Sequence, residues 1–212
     1  MIKITAFKWV PPFARGLVRD LRVRWALEEA GLPYEVELID PDIQASAPYR
    51  ARQPFGQVPV LEDEGLTLFE SGSIVLYVGE RSEALLPANG RARARAVTWL
   101  LAALNTIEPP IASLAEIDLF HAGEAWVPQR RPQAEQFVVQ RLRELALRLG
   151  DRDYLEGSFT AGDLMMTTVL RILRHTELLD REPKLKAYKE RCEARPAFQR
   201  ALRGQMSAFE GE

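Results

Sequence analysis

The chain has 212 residues, a formal net charge of −2 and a hydrophobic fraction of 47%, which is enough length and apolar content for two packed domains. That balanced charge leaves no electrostatic footprint for nucleic acid or an anionic membrane surface. A single cysteine, Cys192, excludes internal disulfides and cysteine-rich metal sites and points to a reducing compartment.

The first 80 residues alternate short strand-like and helix-like segments. Ile2 to Phe7 reads as a strand, and Pro11-Pro12 then enforces an extended turn. After Gly16 the period changes: Val23, Ala26, Leu27 and Ala30 fall at i, i+3, i+4 and i+7, one face of a helix that Gly31 and Pro33 stop. Tyr34 to Ile39 alternates as a second strand, and the polar stretch to Arg52 has room for a short helix. Val58-Pro59-Val60-Leu61, a turn at Asp63-Glu64-Gly65 and Leu66-Thr67-Leu68-Phe69 give a hairpin, and Ser71 opens the next helix. One β-α-β unit followed by a hairpin and a helix predicts an α/β domain built on a mixed sheet.

Leu86-Pro87-Ala88-Asn89-Gly90 reads as a linker, and everything beyond it as helical. The expected division is therefore a first domain over 1–82, a linker over 83–90 and an all-α domain over 91–212. Val97, Leu100, Leu101 and Leu104 mark a long helix ending near Pro109-Pro110, and Val138, Leu142, Leu145 and Leu149 mark another. Leu164 to Leu173 is apolar almost all round, as a buried central helix would be. Arg91, Arg93 and Arg95 spread around a helix start as solvated cations. His121 and His175 have no metal-ligand spacing, so no metal is expected. No apolar run approaches the roughly 20 residues of a membrane span. The N-terminal MIKITAFKWVPPFARG lacks the apolar region of a secretion signal. A cytoplasmic protein is expected.

Three stretches together resemble the glutathione transferase superfamily. Gln57-Val58-Pro59-Val60-Leu61 is followed after the hairpin turn by Glu70-Ser71. Arg22 to Glu35 resembles the superfamily's first helix and second strand. Phe159-Thr160-Ala161-Gly162-Asp163-Leu164 carries a capping box, Thr160 at N-cap and Asp163 at N3, with Phe159 and Leu164 at the staple positions. The resemblance covers essentially the whole chain. It implies a thioredoxin-like βαβαββα domain, then an all-helical domain, and glutathione as co-substrate. Pro59 would be cis, turning the backbone of Val58 outward to pair with the cysteinyl main chain of glutathione. Ser71, at a helix N-terminus, would take the γ-glutamyl carboxylate. Glu70 and Gln57 would address the γ-glutamyl amine and the adjoining main chain. The resemblance also implies a homodimer, a small apolar electrophile as the second substrate and a role in detoxification.

The chain departs from the family where the sulfur should be activated. The loop Lys8-Trp9-Val10-Pro11-Pro12-Phe13-Ala14-Arg15-Gly16 contains no hydroxyl or thiol side chain, although the thiolate is the nucleophile. Arg15-Gly16-Leu17 resembles the opening of the first helix in the tyrosine-type classes, so Arg15 is the candidate activator, with Lys8, Arg19 or main-chain N–H groups as alternatives. Cys192 lies among charged residues of a late helix and is not a candidate nucleophile. Arg50 or Arg52 is placed to meet the glycyl carboxylate, and Asn105 to reach a partner subunit's ligand. Trp9, Phe13, Trp99 and Trp126 are candidate walls of an acceptor site. The expected activity is transfer of glutathione to an electrophile. The alternatives are a glutathione-dependent peroxidase or disulfide reductase, and a non-catalytic binding module on the same fold.

Overall fold

The computed structural model of the chain describes residues 1–209. Its opening elements are strand β1 (Ile2–Phe7), helix α1 (Asp20–Ala30), strand β2 (Tyr34–Ile39) and helices α2 (Pro41–Ala45) and α3 (Ala47–Arg52). Strands β3 (Val60–Asp63) and β4 (Leu66–Phe69) and helix α4 (Ser71–Gly79) follow. The four strands form one mixed sheet in the order β2-β1-β3-β4. β1 and β2 are parallel with Ile4 opposite Val36, as a helical crossover requires. β3 runs antiparallel to both β1 and β4. This is the mixed sheet of the thioredoxin-like domain that the family resemblance implies.

β1 lies inside the sheet, and Ile4, Thr5 and Ala6 are all buried; a strand covered on both faces loses the alternation of an edge strand. The β3–β4 turn puts Glu64 at φ 49° and Gly65 at φ 87°, the pair of left-handed residues that a two-residue hairpin turn favours. α1 buries Val23, Trp25, Ala26 and Leu27 completely and closes on Gly31 at φ 66°. It begins at Asp20, later than the sequence pattern after Gly16 suggests. Pro12–Ala14 form a single 3-10 turn instead, because a proline suits the first position of a helical turn and cannot donate within it.

The contacts divide the chain into two compact units, one of residues 1–86 with the segment from Arg195 onward and one of Pro87–Ala194. Helix α10 (Pro196–Met206) thus belongs to the first unit, where it packs along α1. Trp25 and Phe198 meet edge to face at 4.8 Å. Gln205 Nε2 donates to Asp20 Oδ1 at 2.6 Å, Arg24 Nη1 donates to the Gly204 carbonyl at 3.1 Å, and Arg195 forks onto both oxygens of Glu29. Burial holds the Asp20 carboxyl above its usual value, against the pull of Arg24 beside it.

The second unit contains helices α5 (Gly90–Ala102), α6 (Glu108–Phe120), α7 (Val127–Leu149), α8 (Ala161–Leu170) and α9 (Pro183–Glu193). Pro109-Pro110 lie in the first turn of α6, with the π-helical turn Ala103–Ile107 carrying the chain from α5 into it. The buried stripe runs through Ala96, Leu100, Ala103 and Ile107, and Leu101 is exposed. α7 buries Val138, Leu142, Leu145 and Leu149 as its period predicts. Every residue of α8 is buried, and its capping box is formed. Among the described residues no helix is long and apolar enough to cross a membrane.

Candidate functional site

The register of the β3–β4 hairpin opposes Val60 to Phe69. The segment entering β3, Gln57-Val58-Pro59, therefore lies at the same end of the sheet as Glu70-Ser71, which leave β4. The Val58–Pro59 bond is cis. Gln57 is exposed while Val58 and Pro59 are buried.

Ser71 is the first residue of α4 and is buried. Its hydroxyl accepts a hydrogen bond from Arg22 Nη1 of α1 at 3.3 Å, both side chains being buried, and keeps its own proton to donate. Glu70 stands at the N-cap with φ 69° and makes no side-chain cap bond. A helix start exposes N–H groups with no intrahelical partner and the positive end of the peptide dipoles. With no side-chain cap, a buried guanidinium behind the serine and a hydroxyl proton to give, this corner is chemically suited to a carboxylate.

The Gln57–Val60 segment is held from beneath. Tyr49 Oη donates to the Gln57 carbonyl at 2.6 Å, and the Val60 N–H donates to Thr5 Oγ1 at 2.8 Å. The two hydroxyls stand 3.2 Å apart. Thr5 and Tyr49 are both buried, and burial raises the Tyr49 phenol above its usual value. Neither was singled out from the sequence. Thr5 carried a faint signal as a polar residue in an apolar strand, whereas the reach of Tyr49 to a backbone eight residues away has no sequence signature.

Of the two arginines in α3, Arg52 is engaged: its guanidinium spans both oxygens of Glu37, at 2.9 and 3.1 Å, and reaches Glu62 at 3.3 Å. Arg50 is exposed, donates to the Pro54 carbonyl at 3.3 Å and lays its guanidinium against Gly56. Arg15 terminates the 3-10 turn instead of opening α1, and its guanidinium sits 5.6 Å from the ring centre of Phe209. Trp9 and Phe13 of the same loop are exposed. In the second unit Asn105 and Trp126 are exposed, and Trp99 is half-buried, its indole N–H donating to Glu156 at 2.8 Å. Cys192 is fully buried. No group of three or more His, Cys, Asp or Glu lies together as a metal site among the described residues.

The chain is similar to known proteins over most of its length. The model of the glutathione S-transferase N-terminal domain matches residues 21–87. Glutathione S-transferase 4 of Zea mays is 34% identical over 189 residues, 83% of this chain and 83% of the relative. A disulfide-bond oxidoreductase of Escherichia coli (strain K12) is 29% identical over 192 residues, 83% of this chain and 86% of the relative. Among solved structures, a glutathione transferase family member from Pseudomonas fluorescens Pf-5 with two glutathione bound has a TM-score of 0.82 at 24% identity. That match covers 95% of this chain and 92% of the other.

Proposed function

This chain belongs to the glutathione S-transferase family, and on that premise we propose that it binds glutathione along the Gln57–Val60 edge and delivers its thiolate to a small apolar electrophile. The observation that carries the reading is the pairing of Val60 with Phe69, which sets the Gln57-Val58-Pro59 segment before β3 beside the start of α4, whose N-cap makes no side-chain bond. The cysteinyl main chain of glutathione pairs with the backbone N–H and C=O of Val58 like an added strand. Its γ-glutamyl carboxylate takes the Ser71 hydroxyl and the N–H groups at the start of α4. Glu70 and Gln57 address the γ-glutamyl amine and the neighbouring main chain. Arg50 is the cation left for the glycyl carboxylate, since Arg52 is paired with Glu37 and Glu62. The reading includes a homodimer and a functional division of the chain at residues 83–90.

The remaining requirement is a thiolate. In this reading Arg15 supplies the positive charge that lowers the thiol pKa, because the loop Lys8–Gly16 offers no hydroxyl or thiol. The ultraviolet absorbance of bound thiolate, followed against pH, tests it. The midpoint in an Arg15→Ala variant is expected about one unit or more above wild type, the scale of a nearby opposite charge; an unchanged midpoint removes Arg15 from the mechanism. A second reading, glutathione-dependent reduction of disulfides or peroxides, draws support from the same empty loop and from the similarity to the Escherichia coli oxidoreductase. A disulfide substrate turned over faster than any electrophile would favour it.

A further inference from the structure

Four groups under the Gln57–Val60 edge form one directed chain. The Val60 N–H can only donate and the Gln57 carbonyl can only accept, so both ends are fixed. Val60 donates to Thr5 Oγ1, and Tyr49 spends its single proton on Gln57. The bond between the hydroxyls therefore has one possible sense, Thr5 donating to Tyr49. The chain clasps both ends of the four-residue segment that carries the cis peptide bond and ties them to β1 and α3.

We propose that Tyr49 is a positioning residue for the peptide-binding edge, acting through the Gln57–Val58 peptide unit; this rests on the glutathione site described above. The carbonyl that Tyr49 binds and the N–H of Val58 belong to the same amide. A short hydrogen bond on the oxygen shifts electron density away from the nitrogen, which makes the N–H a stronger donor to whatever pairs with it. The same bond fixes the rotation of the amide plane, and hence the direction in which Val58 N–H points. The phenol is itself held in place. Its ring packs with Ile39, Val58 and Val60 in one buried cluster, and the guanidinium of Arg52, fixed by Glu37, lies 5.2 Å from its centre. Burial keeps the phenol protonated, so the donor persists across the working pH range. Tyr49 does not touch the ligand. It sets the strength and aim of the group that does.

The test uses the full-length protein and glutathione itself, with wild-type, Tyr49→Phe, Thr5→Val and Ser71→Ala chains compared by calorimetric titration. Tyr49→Phe keeps the packed ring and removes only the donor. Its dissociation constant for glutathione is expected to rise about five- to tenfold, the size of one neutral hydrogen bond. Thr5→Val leaves the Tyr49–Gln57 bond intact and is expected to weaken binding less than Tyr49→Phe. The Val58 amide resonance of the ligand-free protein provides a readout that simple loss of stability does not move. It is expected to shift in Tyr49→Phe, and to shift little in Ser71→Ala. Should wild type bind, Ser71→Ala bind weakly and Tyr49→Phe bind like wild type with Val58 unshifted, the role of Tyr49 is overturned while the site stands. Wild type failing to bind overturns both. If Tyr49→Phe does not fold, 3-fluorotyrosine placed at position 49, a stronger donor of nearly the same shape, decides: binding at wild-type strength with an unmoved Val58 resonance is then the contradicting result.

Discussion

Two helix starts in this chain have opposite chemistry. At α8, Thr160 Oγ1 accepts from the Gly162 N–H at 3.2 Å, and Asp163 Oδ2 accepts from the Thr160 N–H at 2.9 Å and its hydroxyl at 3.1 Å. The other oxygen of Asp163 accepts from the Leu155 N–H and the Tyr188 hydroxyl, both at 2.9 Å. That helix start is closed and buried. At α4 the N-cap is Glu70 at φ 69°, without a side-chain cap bond, and a buried arginine stands behind the first serine. The first arrangement satisfies its own backbone and has nothing to offer a ligand. The second makes no side-chain cap bond and holds its N-cap in a conformation few side chains adopt, as binding sites commonly do.

The contrast predicts opposite responses to substitution. The largest effect is expected at the closed end. Asp163→Ala removes the acceptor of four hydrogen bonds inside the core and should destabilise the protein by about 3–5 kcal/mol, as loss of a buried hydrogen-bonded carboxylate does. Urea denaturation measures it, and a loss below about 1 kcal/mol would place this helix start among ordinary caps. At the open end the sign reverses. Glu70→Gly relieves a positive φ that costs a side-chain-bearing residue energy, and should raise stability by about 1 kcal/mol. The same substitution should weaken glutathione binding if, as proposed, the Glu70 carboxylate meets the γ-glutamyl amine. A variant both less stable and undiminished in binding would erase the distinction between the two helix starts.

How far these regions could be read in advance follows the same division. The capping box was legible because it is local: Thr160 and Asp163 lie three residues apart and their partners are their own backbone neighbours. The mixed sheet and the β3–β4 hairpin are legible through hydrophobic period and turn residues, and the cis Pro59 through the family resemblance that Gln57–Leu61 and Glu70-Ser71 carry. What escaped depends on contacts distant in sequence. A separation of 44 positions between Thr5 and Tyr49 hides their hydrogen bond, and the return of α10 to α1 rests on Gln205 and Asp20, 185 positions apart. The pattern after Gly16 opens α1 too early: Gly16 itself stands at φ 76° and the helix begins at Asp20. Pro109-Pro110 suggest the end of a helix, but the π-helical turn before them carries the chain into the next one.

The central claim is that the open start of α4, with the Gln57–Val60 edge beside it, is a glutathione site. The most direct test is calorimetric titration of glutathione into wild type and into a chain carrying Glu70→Ala and Ser71→Ala together, with folding of both verified by denaturation. The account predicts saturable binding by wild type and a loss of about a hundredfold or more in the double variant, the combined weight of two hydrogen bonds to charged groups. Binding by the folded double variant at wild-type affinity, or none by wild type, would contradict it.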